Sequence, residues 1–249
     1  ETEGRDRDNL FLPGEQDELI AKIAEVNKNV VVVLTTGAPV LMDKWINKVN
    51  GVVEMWFAGS EGGNAIADVV LGNYNPSGKL PVTFPKRWED CSAFGTYKAF
   101  PARTYYADDI CVGYRHFDKN NLEPLFPFGY GLSYTTFEYS NLSVTPNGND
   151  FTITFDLKNT GAIEGAEVAQ LYIGEKEPKV DRPAKELKAF AKVKLNPGEL
   201  RKVTLSVAKN AIAYFDGQTQ SWKVETGAYH FLVGGSSRDL KLKTEVVVK

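Results

Sequence analysis

Two hydrophobic rhythms run along the chain, and they divide it. From Pro13 the apolar positions keep helical spacing, with Leu19, Ile20, Ile23 and Ala24 on one face and Pro13 suited to a first turn. Asn27 and Asn29 break that pattern before Val30-Val31-Val32-Val33-Leu34, a wholly apolar β-branched run that predicts a central parallel strand covered on both faces. Thr35-Thr36-Gly37-Ala38-Pro39 is the turn at its carboxyl end, and Pro39 opens a short helix through Trp45 and Ile46. Gly51 to Phe57 reads as a second strand, and a helix from about Ala65 to Leu71 follows the turn that begins at Ala58. This alternation predicts an open parallel sheet with helices on its faces over residues 1–85. The turn Asn75-Pro76-Ser77-Gly78 and a short strand Leu80 to Phe84 close it, the flanking Pro81 and Pro85 suiting a sheet edge.

Residues 86–133 keep no clean period and are rich in aromatics, among them Trp88, Phe94, Tyr105, Tyr106, Tyr114 and Phe117. They read as a linker packed on the α/β part, with the rings as packing anchors; the sharper alternative is that one or two line a sugar site. From about Phe137 the period becomes two. Phe151 to Leu157, Val168 to Ile173, Leu187 to Leu195 and Val203 to Val207 alternate, and Trp222 to Val224, Tyr229 to Val233 and Leu240 to Val248 follow. Turn signals such as Asn159-Thr160-Gly161 and Asn196-Pro197-Gly198 separate them. About seven short antiparallel strands over roughly 110 residues predict an immunoglobulin-like β-sandwich over residues 134–249.

Composition narrows the function more by exclusion than by assignment. A net charge of -3 over 249 residues leaves no basic footprint for nucleic acid, and no apolar run approaches a membrane span. Two cysteines, Cys91 and Cys111, and two histidines, His116 and His230, do not form the ligand cluster of a structural zinc site, so no metal or cofactor is expected. The two cysteines read as free, partly buried thiols, although their pairing in an oxidising compartment stays open. The glycine-bearing turns after both strands match neither dinucleotide nor nucleoside-triphosphate loops, and read instead as tight packing turns. Asn141-Leu142-Ser143 has the form of a glycosylation sequon, too short a pattern to fix a compartment. The chain opens on Glu1 without a methionine, as expected of a piece of something longer.

The first eight residues, ETEGRDRD, hold four acids and two arginines around Gly4. Arg5 and Arg7 alternate with Asp6 and Asp8, so the charges can neutralise one another, and Gly4 can adopt a backbone conformation closed to other residues. Such a segment can hold Glu3 in a fixed pose at a loop tip; the plain alternative is a solvated chain end.

Glu3-Gly4-Arg5-Asp6-Arg7 with Leu12-Pro13, then Asn75 to Pro85 (NPSGKLPVTFP), resembles the C-terminal half of a glycoside hydrolase family 3 β-glucosidase. The resemblance continues through Val112-Gly113-Tyr114-Arg115, Phe126 to Tyr134, Asn159 to Gly161, Glu186-Leu187-Lys188 and Val233 to Ser237, in family order. It implies part of an α/β sandwich domain followed by a fibronectin type III-like domain. It also implies a retaining, exo-acting hydrolase whose nucleophilic aspartate lies on an N-terminal (β/α)8 barrel outside this chain. In the family motif E-G-x-D-R the acid/base glutamate matches Glu3; Glu1, its neighbouring rival, lacks the following glycine. Asp6 and Arg7 are then loop-bracing candidates that leave Glu3 free, while Asp108 and His116 depart from the family pattern. The implied partners are a β-glucoside or oligosaccharide, the barrel of the same protein, and in some cases a second copy of the chain. A secreted or periplasmic location is implied as well. The same scaffold serves β-xylosidases and α-arabinofuranosidases, and a non-catalytic accessory segment is the reading from another class. With half of the carboxyl pair elsewhere, this segment alone is expected to be inactive.

Overall fold

The computed structural model describes residue 4, residues 7–96 and residues 105–249. Contacts group the chain into two compact units, and the grouping differs from a division at 85 and 133. One unit takes residues 1–74, 82–107 and 122–126; the other takes 75–81, 108–121 and 127–249.

In the first unit, α1 (Gln16–Val26) precedes β1 (Val31–Leu34), which pairs in parallel with β2 (Gly51–Glu54), and α2 (Gly62–Leu71) follows. The apolar face expected for α1 is only partly used: Ala24 is buried, but Leu19 and Ile23 are exposed. Asp17 is buried too, because its carboxylate accepts the indole N–H of Trp45 at 2.7 Å. The prediction for β1 needs correction. Val32 and Leu34 are buried, but Val31 and Val33 face out and are 49% and 40% exposed, so the described elements cover one face only. No helix opens at Pro39; Val40, Leu41, Met42 and Trp45 instead form the buried core of an irregular crossover that ends in a 3-10 turn at Ile46–Lys48. The strand Gly51 to Phe57 stops early, at Glu54, because Trp56 adopts a left-handed backbone with φ 53°. Leu80 to Phe84 is not a strand either. Pro81 and Pro85 withhold backbone donors, and only an isolated bridge between Phe84 and Phe126 remains.

The second unit is the sandwich. β3 (Phe137–Asn147), β4 (Asp150–Asn159) and β7 (Leu200–Ala208) make one antiparallel sheet; β6 (Glu186–Leu195), β5 (Gly165–Glu175), β10 (Gly227–Gly234) and β11 (Leu240–Val248) make the other. The period-two runs place Ile153, Phe155, Leu157, Leu171, Leu195, Leu205 and Phe231 in one core between the sheets. Trp222 departs from expectation: it lies on β9 (Ser221–Lys223), which pairs only with β8 (Tyr214–Asp216) as an outlying hairpin.

Several aromatics of the supposed linker are anchors of the sandwich, not of the α/β part. α3 (Tyr114–Lys119) lays Tyr114 against Phe128, with ring centroids 5.0 Å apart, and against Tyr172 of β5. The Tyr114 hydroxyl also accepts the Leu187 N–H at 2.9 Å. The turn at Asn75 belongs to this unit as well. Its side-chain oxygen accepts from the Ser133 hydroxyl and the Tyr134 N–H, and its amide donates to the Glu164 carbonyl. Lys79 reaches Glu167 of β5 at 2.9 Å, a largely buried pair. Gly129 has φ 81°, and a Cβ there would stand 2.2 Å from the Gln170 side-chain oxygen, so this position of the F-P-F-G-Y-G-L run requires glycine.

Candidate active-site region at the ends of the parallel strands

Glu3, the acid/base candidate, lies outside the described residues, as do Glu1, Arg5 and Asp6. What the structure places is the ground next to them. Gly4 has φ 76°, a conformation that suits a glycine-specific turn within the motif. Arg7, the second bracing candidate, donates from Nη2 to the Phe11 carbonyl at 2.9 Å, which folds its guanidinium back along its own segment. Asn9 accepts the Phe11 N–H with its side-chain oxygen at 2.9 Å, and Leu12 is buried. The segment is then fixed to the crossover after β1: the Leu41 N–H donates to the Leu10 carbonyl at 2.8 Å, and the Lys44 ammonium lies 5.0 Å from the centroid of the Phe11 ring. Arg7–Leu12 is therefore tied to the crossover that follows β1, the connection leaving the carboxyl end of that strand, where open α/β sheets bind ligands.

The carboxyl end of β2 completes this region through Glu54, which the sequence reading did not single out. One carboxylate oxygen of Glu54 accepts the Trp56 N–H at 2.9 Å, and the other receives the Thr36 hydroxyl at 3.1 Å. The same hydroxyl lies 2.9 Å from the Ala38 carbonyl, so its one proton is shared between two acceptors. The two loops that follow β1 and β2 are thus tied by one carboxylate. Trp56 turns its ring toward the buried Phe84, with centroids 6.2 Å apart, while Phe57 stays 70% exposed. The available signal was an acid ending an apolar strand, GVVE, one residue ahead of two aromatics.

The glycine-rich turn before α2 serves packing: a Cβ on Gly62 would meet the Ala58 Cβ at 3.2 Å. Among the described residues no three His, Cys, Asp or Glu side chains gather as a metal site, and no helix is long and apolar enough to cross a membrane. Both cysteines are free; burial, reinforced by Asp90 and Glu89, pushes the Cys91 thiol up to about 11. His116 stands on α3 and meets the Asn120 side-chain amide at 3.2 Å, while Asp108 precedes a turn that returns its carbonyl to the Cys111 N–H. Both belong to the sandwich unit.

Comparison with known proteins bears on both units. The model described as glycosyl hydrolase family 3 C-terminal domain matches residues 1–134, and the fibronectin type III-like domain matches residues 167–237. The chain is 45% identical over 246 residues to a probable beta-glucosidase I of Aspergillus oryzae, covering 95% of this chain and 29% of that protein. It is 44% identical over 252 residues to thermostable beta-glucosidase B of Acetivibrio thermocellus, covering 100% of this chain and 33% of the relative. Among solved structures, the beta-glucosidase of Kluyveromyces marxianus in complex with glucose superposes with a TM-score of 0.96 at 41% identity, over 100% of this chain and 30% of that one. The chain thus spans about a third of the length of the proteins it matches.

Proposed function

The chain belongs to glycosyl hydrolase family 3, and on that footing we propose that it is the C-terminal portion of a retaining, exo-acting β-glucosidase that releases terminal non-reducing β-D-glucosyl residues. The observation that carries this reading is the E-G-R-D-R motif, in a chain 45% identical to a beta-glucosidase over 95% of its length. The attachment of Arg7–Leu12 to the crossover after β1 is consistent with this reading, since it fixes the segment that follows the motif.

In this reading Glu3 is the acid/base. A retaining mechanism needs two carboxyl groups about 5–5.5 Å apart, one attacking the anomeric carbon and the other protonating the departing oxygen. The attacking aspartate belongs to an N-terminal (β/α)8 barrel of the same protein. In the first step Glu3 gives its proton to the glycosidic oxygen; in the second it takes one from the water that hydrolyses the glycosyl-enzyme. A bound sugar and the aspartate's charge would both raise the Glu3 pKa and keep it protonated for the first step. Arg7 donates to the Phe11 carbonyl within its own segment, which fits the role given to Asp6 and Arg7 of bracing the loop while Glu3 stays free.

The test uses the full-length parent and an aryl β-D-glucoside, with proton NMR following the first glucose formed. β-Glucose ahead of mutarotation, and slower turnover of the aryl β-xyloside and α-arabinofuranoside, are expected. α-Glucose first, or a preference for the pentosides, would overturn the proposal. The isolated 249-residue segment should leave the same substrates intact.

A further inference from the structure

The carboxylate of Glu54 has no place in the double displacement itself, yet it joins the two loops that follow the parallel strands. Its oxygens hold Thr36 Oγ1 after β1 and the Trp56 N–H after β2. Trp56 keeps φ 53°, a conformation that costs a bulky L-residue free energy and persists only where its surroundings enforce it. The Glu54–Trp56 bond enforces it directly. On the other side, the loop held by Thr36 continues through Ala38 to Leu41, whose N–H carries the segment Arg7–Leu12. Two hydrogen bonds of the Thr36 hydroxyl, the backbone from Ala38 to Leu41, and the Leu41–Leu10 bond thus connect Glu54 to the segment Arg7–Leu12 that follows the acid/base candidate.

We infer that Glu54 is a positioning residue for the acid/base loop, fixing the crossover after β1 so that the segment bearing Glu3 is held in its reactive pose. This inference rests on the reading of Glu3 as acid/base. A proton donor displaced by about 1 Å can lose on the order of a hundredfold in rate without any change in its own chemistry. The loss falls where protonation of the leaving group matters. Glu54→Gln keeps the size of the side chain but replaces one acceptor oxygen with an NH2 group, which removes the charge from the tie and leaves the Thr36 contact only with its direction reversed, the Thr36 hydroxyl turned to the Ala38 carbonyl. Thr36→Val removes the other end of the tie while keeping a branched side chain of similar shape.

The experiment places Glu54→Gln and Thr36→Val in the full-length parent and measures kcat and KM on aryl β-glucosides with good and poor leaving groups, alongside Tm. The expected result for Glu54→Gln is a fall in kcat of about tenfold or more on the poor leaving group, a much smaller fall on the good one, and KM within about twofold. Thr36→Val should shift kcat in the same sense, by less. Equal losses on both substrates, or losses that follow Tm, would overturn the inference and leave Glu54 a holder of the turn alone. Glu3→Ala assayed with azide in the same series separates the two claims. If azide restores Glu3→Ala on the good leaving group while the Glu54 variant shows no leaving-group dependence, only the positioning role fails. If azide does not restore it, the acid/base reading fails first.

Discussion

Asn159 shows what one residue can do in this fold. It is fully buried, and its side-chain amide is satisfied on both ends: the oxygen accepts from the Thr135 hydroxyl at 2.6 Å and the Gly161 N–H at 3.1 Å, and the nitrogen donates to the carbonyls of Ile163 and Leu195. Those partners sit on three separate stretches of the sandwich unit, so Asn159→Ala strands several buried polar groups at once. Each such group costs roughly 1–3 kcal/mol, which makes a loss of about 3 kcal/mol a fair expectation. Urea unfolding of the chain should show the midpoint fall with little change in m; a shift below about 0.5 kcal/mol would mean that water replaces the amide. At this scale the sequence was partly legible. The turn Asn159-Thr160-Gly161 could be read from residue types, but not that its asparagine is a buried hub, because the acceptors lie up to 36 positions away. Glu54 was illegible for a related reason: its two partners belong to different loops, and no local pattern marks a carboxylate as a tie.

Among the elements, the connection from β5 to β6 carries the clearest dependence on pH. Glu175, at the end of β5, and Glu225, just before β10, bury their carboxyl groups side by side. Glu225 accepts the Lys179 N–H with one oxygen; the other is buried and finds no donor unless Glu175 carries a proton. Arg182 lies 3.4 Å from Glu175 but also faces Glu186 and the Ile212 carbonyl, and Tyr229 donates toward Glu175 and to the Glu225 carbonyl. Burial first, then the hydrogen bond and charge of Glu225, hold the Glu175 carboxyl above its ordinary range, with Arg182 and Tyr229 pulling the other way. Because the folded pKa is raised, the contribution of that proton to stability is complete below the unfolded value of about 4.3 and is lost as pH climbs through the folded value. Denaturant midpoints followed upward from about pH 4 should therefore fall more steeply for the wild-type chain than for Glu175→Gln, whose amide donates at every pH. Parallel curves would contradict the shared proton. Strand patterning was read well where one face is buried and the other wet, as in β4, and poorly at β1, whose four apolar residues signal two covered faces. Periodicity reports the burial a strand is built for; it cannot say which elements supply the cover. β2 was read too long because the left-handed Trp56 that ends it is imposed by a side-chain bond, not by residue type.

On the scale of the whole molecule, the order of motifs along the chain carried more than any of them singly. The run NPSGKLP looked like the closing turn of the α/β part, yet Asn75 and Lys79 make their bonds to the sandwich unit, at Glu164 and Glu167. Tyr114 likewise packs on Tyr172 and carries Phe128 stacked on it, so half of the supposed linker is cladding for a sheet. These are long-range pairings, and a composition-level reading has no access to them. The functional claim has the same form: the motif at residues 3–7 is written plainly in the sequence, while the structure shows how Arg7–Leu12 is secured to the crossover after β1. The most direct measurement is Glu3→Ala in the full-length parent, assayed on aryl β-glucosides with good and poor leaving groups, each with and without azide. The account predicts that kcat/KM falls at least about a hundredfold on the poor leaving group and little on the good one. On the good one kcat falls because the second step has lost its base, and azide restores that kcat and yields the β-glucosyl azide. Equal losses on both substrates with no azide product would contradict it, and would make Glu3 a loop residue and Glu1 the next proton donor to test.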